Sequence, residues 1–293
     1  MMELTAAEES SARALISLAL PEDLGEFGDR TSLATISADT QATVQFLARN
    51  TGVVAGLPVA RLVCHAVDAQ LHFLPKLSDG SSISRGTILA TLSGSLRSIL
   101  AAERTALNFL QRLTGVATLT RHYVDAVAGL PVKILDTRKT TPGWRLLEKY
   151  AVRMGGGTNH RVGLYDAILI KDNHIAGIPG PTPVRSSVEL ARAYPGNHGL
   201  SVEVEVDSFA QLQEVLPAKP EIVLLDNMTL DQLRACVTLR NQLAPATLLE
   251  ASGGITLATL RTIAETGVDR MSIGALTHSA PAFDIGLDYS SAE

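Results

Sequence analysis

Hydrophobic residues recur with two different periods along this chain, and the change of period divides it. Ala42–Arg49 (ATVQFLAR) alternates apolar and polar positions, the pattern of a half-buried strand. Gly52–Gly56 reads as a small-residue turn or strand. Leu71–Leu74 and Thr87–Ser93 read as further strands, separated by Asp79-Gly80 and Arg85-Gly86 turns. Residues from about 3 to 20 read as an opening helix. Between Ser95 and Ala128 the apolar positions Leu96, Ile99, Leu100, Leu107, Leu110, Leu113, Val116 and Leu119 take up helical spacing, with Gly115 expected to interrupt it and leave two helices.

From Val132 onward short apolar strands alternate with helical stretches. The strands are Val132–Leu135, Ala167–Ile170, Ser201–Val206, Ile222–Leu225, Thr247–Glu250 and Arg270–Ile273. Between them lie helical patterns at Trp144–Met154, Pro183–Ala193, Phe209–Leu216, Leu230–Leu243 and Leu257–Thr266. About six β-α units imply a parallel sheet, and closure into a barrel is the usual outcome at this length. An open doubly wound sheet is the alternative, but no Gly-x-Gly-x-x-Gly follows a first strand.

A hydrophobic content of 46% with 19% charged residues is that of a globular protein with an ample core. The net charge of −5 argues against nucleic acid as the main partner, which would need a broad basic face. Apolar runs are strand-sized, so no membrane span is expected, and the acidic N-terminal segment lacks the basic start of a signal peptide. Cys64 and Cys236 form no CxxC and read as inert thiols of a reducing cytoplasm.

Against this acidic background, the segment Lys133–His174 concentrates cations at strand ends beside glycines: Arg138 and Lys139 after the first strand, Gly155-Gly156-Gly157 and Asn159-His160-Arg161 before the second, Lys171 and His174 after it. Such clustering suits a small polyanion, since Arg offers a planar fork and Lys a movable charge. His160 and His174 read equally well as structural residues. The C-terminal ends of barrel strands carry the active site. There the third strand supplies Glu203 and Glu205 on one face, the fourth Asp226, the fifth Ser252-Gly253-Gly254 and the sixth Ser272-Ile273-Gly274. The last two runs suit a phosphate held by backbone N–H groups. The carboxylates allow three readings: neutralising nearby cations, coordinating Mg²⁺ together with substrate phosphates, or stabilising a cationic transition state. Arg104, upstream on the long helix, reads by itself as a surface or core-edge arginine.

The runs EDLG and GDRT, AERTALNFLQRLTGVAT, DTRKTTPG, KYAVRMGGGTNHR, DAILIKDNHI, VEVEVDS, LLDNM, LEASGGI and SIGALTHSAP resemble quinolinate phosphoribosyltransferases nearly end to end. The resemblance implies an N-terminal α/β sandwich domain (1–114, with a tail of about 276–293 packing back on it) and a parallel α/β barrel of six to seven strands, complete or incomplete (115–275). It implies phosphoribosyl transfer to quinolinate with decarboxylation, Mg²⁺ as cofactor, and a homodimer or assembly of dimers. By the same resemblance Arg104 reaches the partner's active site. Arg138, Lys139, Arg161 and Lys171 hold carboxylates and pyrophosphate, with Thr137, His160, His174 and Glu203 beside them. Glu205 and Asp226 lie near ribose and metal, Lys139 and Lys171 share the catalytic role with them, and Ser252–Gly254 and Ser272–Gly274 bind the 5′-phosphate. Competing readings are a related phosphoribosyltransferase-like protein of molybdenum-uptake operons, a Schiff-base aldolase with Lys171 as nucleophile, and a non-catalytic phosphate-binding barrel.

Overall fold

A computed structural model describes residues 4–289; residue 3 of the expected opening helix and residues 290–293 of the tail lie outside that range. In chain order the strands are β1 (Gln41–Ala48), β2 (Gly52–Val53), β3 (His72–Pro75), β4 (Ser82–Ile83), β5 (Ile88–Ser95), β6 (Lys133–Leu135), β7 (Ile168–Ile170), β8 (Val202–Val206), β9 (Ile222–Asp226), β10 (Leu248–Ser252), β11 (Arg270–Ser272) and β12 (Ile285–Tyr289). The helices are α1 (Ala6–Leu24), α2 (Arg30–Thr35), α3 (Leu57–Val67), α4 (Leu96–Ala126), α5 (Arg145–Met154), α6 (Asp172–Ala176), α7 (Pro183–Ala193), α8 (Phe209–Val215), α9 (Leu230–Leu243), α10 (Leu257–Ala264) and α11 (Ala275–His278). The chain forms two compact units. One comprises the residues up to Arg121, Lys139–Gly157 and those from Ala275 on; the other comprises His122–Arg138 and Thr158–Gly274.

The first unit is built on an antiparallel sheet of order β12-β1-β5-β3. The alternation in β1 sends Val44, Phe46 and Ala48 into the core, where Phe46 meets Phe73 at 5.6 Å. The strand β12, unmarked in the sequence reading, returns to pair with β1 from Val44↔Tyr289 to Ala48↔Ile285. Helix α4 runs unbroken through Gly115, against expectation. A glycine in a helix costs about 1 kcal/mol relative to alanine, but here a Cβ would lie 2.0 Å from the Pro281 carbonyl oxygen. Close approach of the C-terminal segment, and not a helix break, is what requires glycine at this position.

Helix α3 was not anticipated either, because part of what holds it is remote. Its first amides, Gly56 N–H and Leu57 N–H, donate to the buried Asp79 carboxylate at 2.6 and 3.2 Å, as does Tyr150 Oη at 2.7 Å. Burial raises the Asp79 pKa, and these three donors oppose that shift. Asp79→Ala would strand three buried donors at about 1–3 kcal/mol each. We therefore expect urea denaturation to show a loss of at least about 3 kcal/mol. A loss below about 1 kcal/mol would show that the cap is dispensable.

The second unit holds the six parallel strands in the order β6-β11-β10-β9-β8-β7, with helices between successive strands. Among the described residues no ladder joins β6 to β7, so the barrel is left open there. Strand β9 is almost wholly buried, and so are the three central residues of β10, as expected of parallel strands covered on both faces.

Candidate active site

The second unit brings the Asp136-Thr137-Arg138 run beside Asn159-His160-Arg161, with Asp136 and His160 in contact from 24 residues apart. Strand β6 runs into Asp136, which is fully buried. Its carboxylate accepts from Asn159 Nδ2 at 2.6 Å and from the His160 backbone N–H at 2.8 Å. Thr158 N–H donates to the Ile134 carbonyl at 2.8 Å, extending the β6 edge into the same turn. Thr137 and Arg138 on one side, and Arg161 on the other, are thereby placed in one region. Burial lowers the Arg161 pKa, and the positive charge of Arg138 lowers it further. Two guanidinium groups that repel each other and are partly withdrawn from water make a receptor for an anion, which relieves both penalties.

His160 lies at the centre of a buried charge cluster. Its Nε2 is 3.2 Å from Glu203 Oε2 and 3.4 Å from Glu250 Oε1, both glutamates being almost completely buried. Arg270, in register with Glu250 on the neighbouring strand, donates from Nε to Glu250 Oε2 at 2.8 Å. Burial disfavours a charged imidazole, but the two carboxylates outweigh it and would hold the pKa at about 9. The ring's other nitrogen opposes this. Nδ1 accepts the Arg161 backbone N–H at 2.8 Å, and a proton there would face that donor. We therefore assign the neutral Nε2–H form; burial raises the Glu203 pKa, and the hydrogen bond from His160 opposes that shift.

Lys171 follows β7 directly, and its Nζ lies 2.5 Å from Glu205 Oε2. Its backbone N–H donates to His174 Nδ1 at 2.9 Å, so His174 folds back on the start of α6. Glu205 and Asp226 lie on adjacent strands and share a face, since Glu205 is registered with Leu224 and Asp226 stands two residues further along. Asp226 accepts from Asn227 Nδ2 at 2.8 Å.

The two glycine loops differ. In Ser252-Gly253-Gly254 both glycines have positive φ, +98° and +59°, and a Cβ on Gly253 would come within 2.1 Å of Asn227 Oδ1. This open, exposed turn can cradle a phosphate. Ser272-Ile273-Gly274 is more closed. The Ile273 N–H already donates to the Leu135 carbonyl at 2.9 Å, and the buried Ser272 hydroxyl donates to Glu250. That leaves Gly274 as the half-buried member of the run. Ile273 is itself buried.

Arg104 and Lys139 belong to the first unit, and both are exposed. Arg104 lines a cleft of about 350 Å³ with Glu22, Asp23, Asn108 and Trp144. The Lys139 carbonyl accepts from Thr277 Oγ1 at 2.7 Å. Further along the same motif, Thr141 N–H and Oγ1 donate to the buried Glu148, which also pairs with Arg112 at 2.6 Å. The run Gly155–Gly157 closes the end of α5. Its amides donate within the end of α5, and a Cβ on Gly155 would lie 2.4 Å from the Ala117 carbonyl oxygen. These glycines let α5 approach α4.

Asp136, Glu250 and Arg270 received no role in the sequence reading. The signal for the latter two was a charged residue inside or opening an otherwise apolar strand, which is costly unless paired.

A parallel α/β unit with paired arginines, an ion-paired lysine and an open Gly-Gly turn at its strand ends has the architecture of a sugar-phosphate-handling enzyme. Family models described as quinolinate phosphoribosyl transferase, N-terminal domain and C-terminal domain, match residues 29–114 and 116–288. Nicotinate-nucleotide pyrophosphorylase (carboxylating) of Mycobacterium leprae is 45% identical over 287 residues, covering 97% of this chain and 99% of its own. A probable counterpart in Bacillus subtilis is 40% identical over 268 residues, 91% and 89% of the two chains. The crystal structure of NadC from Streptococcus pyogenes superposes with a TM-score of 0.90 at 40% identity, covering 99% of this chain and all of that one. The chain belongs to the quinolinate phosphoribosyl transferase family.

Proposed function

We propose that this protein transfers the phosphoribosyl group of phosphoribosyl pyrophosphate to quinolinate, releasing pyrophosphate and CO2 and forming nicotinate mononucleotide for NAD synthesis. The observation that carries the reading is the Arg138–Arg161 pair, two mutually repelling cations partly withdrawn from water, which suits a ligand with adjacent carboxylates. The names of the relatives agree with it.

The pyridine nitrogen lone pair forms the bond to ribose C1 as the C1–O bond to pyrophosphate breaks. Positive charge develops on the ribose, where Glu205 and Asp226 can stabilise it electrostatically. The pyridinium so formed accepts the electrons of the C2–carboxylate bond as CO2 departs, and C2 then takes a proton. Arg138 and Arg161 hold the carboxylates, with Thr137 beside them. Lys139 and Lys171 are assigned to the pyrophosphate and its developing charge. Ser252, Gly253, Gly254 and Gly274 are assigned to the 5′-phosphate, and His160 and His174 to holding Arg161 and Lys171.

Two hard oxygen donors on one face fit Mg²⁺ better than a softer metal. Glu205 and Asp226 would hold the ion together with pyrophosphate oxygens, where it would offset the leaving group's charge. An amine nucleophile requires desolvation or a cationic neighbour to activate it; Lys171 is 46% exposed and paired to a carboxylate, which disfavours the aldolase reading. We assign the protein to a homodimer or assembly of dimers in the cytoplasm, with Arg104 completing the partner's site. Among the described residues no helix is long and apolar enough to cross a membrane.

The test is the choice of acceptor. Nicotinate has one carboxylate, so it forgoes one of the two charge-assisted contacts that quinolinate makes, at about 2–5 kcal/mol. We expect kcat/KM for nicotinate to be at least about 30-fold below that for quinolinate. Equal values would refute the dicarboxylate reading.

A further inference from the structure

Glu250 and Arg270 are not used by the reaction above, yet they are tied to residues that are. Glu250 is fully buried and takes Arg270, Ser272 and His160 as neighbours from three directions. A metal ion is the first occupant that a histidine and two glutamates suggest, since their ligand atoms lie within 4.8 Å of one another. The histidine excludes it. A metal on Nε2 leaves the ring proton on Nδ1, where it would meet the Arg161 N–H donor to donor at 2.8 Å. The Arg270 guanidinium at Glu250 adds a like-charge penalty.

What the cluster does hold is the direction of a ring. Arg270 fixes Glu250; Glu203, at 3.2 Å, takes the Nε2–H of His160, and the Glu250 carboxylate, 3.4 Å away and making no hydrogen bond through that oxygen, draws the same N–H electrostatically. This aims the Nδ1 lone pair at the Arg161 backbone. Asp136 clamps the other side of the same turn through the His160 N–H and the Asn159 side chain. The backbone carrying Arg161 is thus held from the β6 end on one side and from β8, β10 and β11 on the other.

We infer that Glu250 and Arg270 are positioning residues, which act through the His160 ring to hold the Arg161 backbone where its guanidinium meets a substrate carboxylate beside Arg138. The inference rests on the assignment of Arg161 to that carboxylate. Its signature is selective, because the phosphate loop at Ser252–Gly254 and the Lys171–Glu205 pair do not depend on Nδ1 of His160.

The experiment measures KM for quinolinate and for phosphoribosyl pyrophosphate separately, with melting temperature, in Glu250→Gln, Arg270→Lys and Arg161→Ala. Glu250→Gln keeps the side-chain size and removes the charge that orders Arg270 and His160. Expected is a rise of at least about tenfold in KM for quinolinate in Glu250→Gln and Arg270→Lys, as a slight misplacement of a clamp residue gives, with KM for phosphoribosyl pyrophosphate within about twofold of the parent. Should Glu250→Gln not fold, Arg270→Lys, which keeps a cation, carries the same comparison. Both KM values unchanged, or shifted together while stability falls, would show that the cluster only stabilises the barrel and would overturn the inference. If Arg161→Ala itself leaves KM for quinolinate unaltered, the assignment of Arg161 has failed and the inference falls with it. If only Arg161→Ala raises it, the positioning step alone has failed.

Discussion

Lys171→Ala should lower kcat/KM by about 10² or more while leaving the melting temperature nearly unchanged. The two halves of this expectation come from different magnitudes. As a contributor to stability, the Lys171–Glu205 pair is weak: the lysine is 46% exposed and screened by water, and such pairs are worth about 0–1 kcal/mol. As a preorganised charge facing a substrate that carries pyrophosphate, the same ammonium is worth about 3 kcal/mol of transition-state stabilisation. The loss therefore has to appear in activity and not in unfolding. Near-normal activity in a folded Lys171→Ala protein would return this residue to the role of a surface cation, and the strand-end reading of β7 with it.

Mixing two inactive variants, Arg104→Ala and Lys171→Ala, should restore about a quarter of the parent activity if subunits exchange at random in a two-fold dimer. Half of the dimers would then be mixed, and in each of these one site carries both lesions while the other carries neither. The motivation is the placement of Arg104: it is exposed on α4, in the first unit, away from the strand ends of the second in sequence. The cleft that Arg104 lines with Asn108 and Trp144 also holds Glu22 and Asp23, carboxylates that would repel an anionic substrate there. If exchange is verified by a tag pull-down and no activity returns, Arg104 serves its own chain and the shared site is wrong.

The strand ends of the second unit were legible in the sequence because parallel strands are buried on both faces and leave sharp boundaries. Each apolar run stops where a charged or glycine residue begins, as at Ile170-Lys171 and Leu225-Asp226. The pairing of Glu203 and Glu205 on one face followed from strand geometry alone, but their separate fates did not. Glu205 turns to Lys171, whereas Glu203 turns to a histidine brought in by a loop from outside its own strand. Arg270 and Glu250 meet only because β10 and β11 are adjacent and in register, a fact of topology invisible along the chain. The same limit hid α3, which is capped by Asp79 from 23 residues away, and β12, whose partner β1 lies more than two hundred residues earlier. Glycine was the most misleading residue. Gly115 read as a break, and it is a point where another backbone passes too close for a Cβ.

The fate of the 2-carboxylate decides whether the protein carries out this reaction. Quinolinate labelled at the 2-carboxylate is incubated with the protein, Mg²⁺ and phosphoribosyl pyrophosphate, and released CO2 is counted against nicotinate mononucleotide formed. One labelled CO2 is expected per nucleotide, and none when phosphoribosyl pyrophosphate is withheld, because only the N-ribosylated pyridinium can accept the electrons of the breaking bond. Label released without phosphoribosyl pyrophosphate, or nucleotide formed with the label retained, would contradict it.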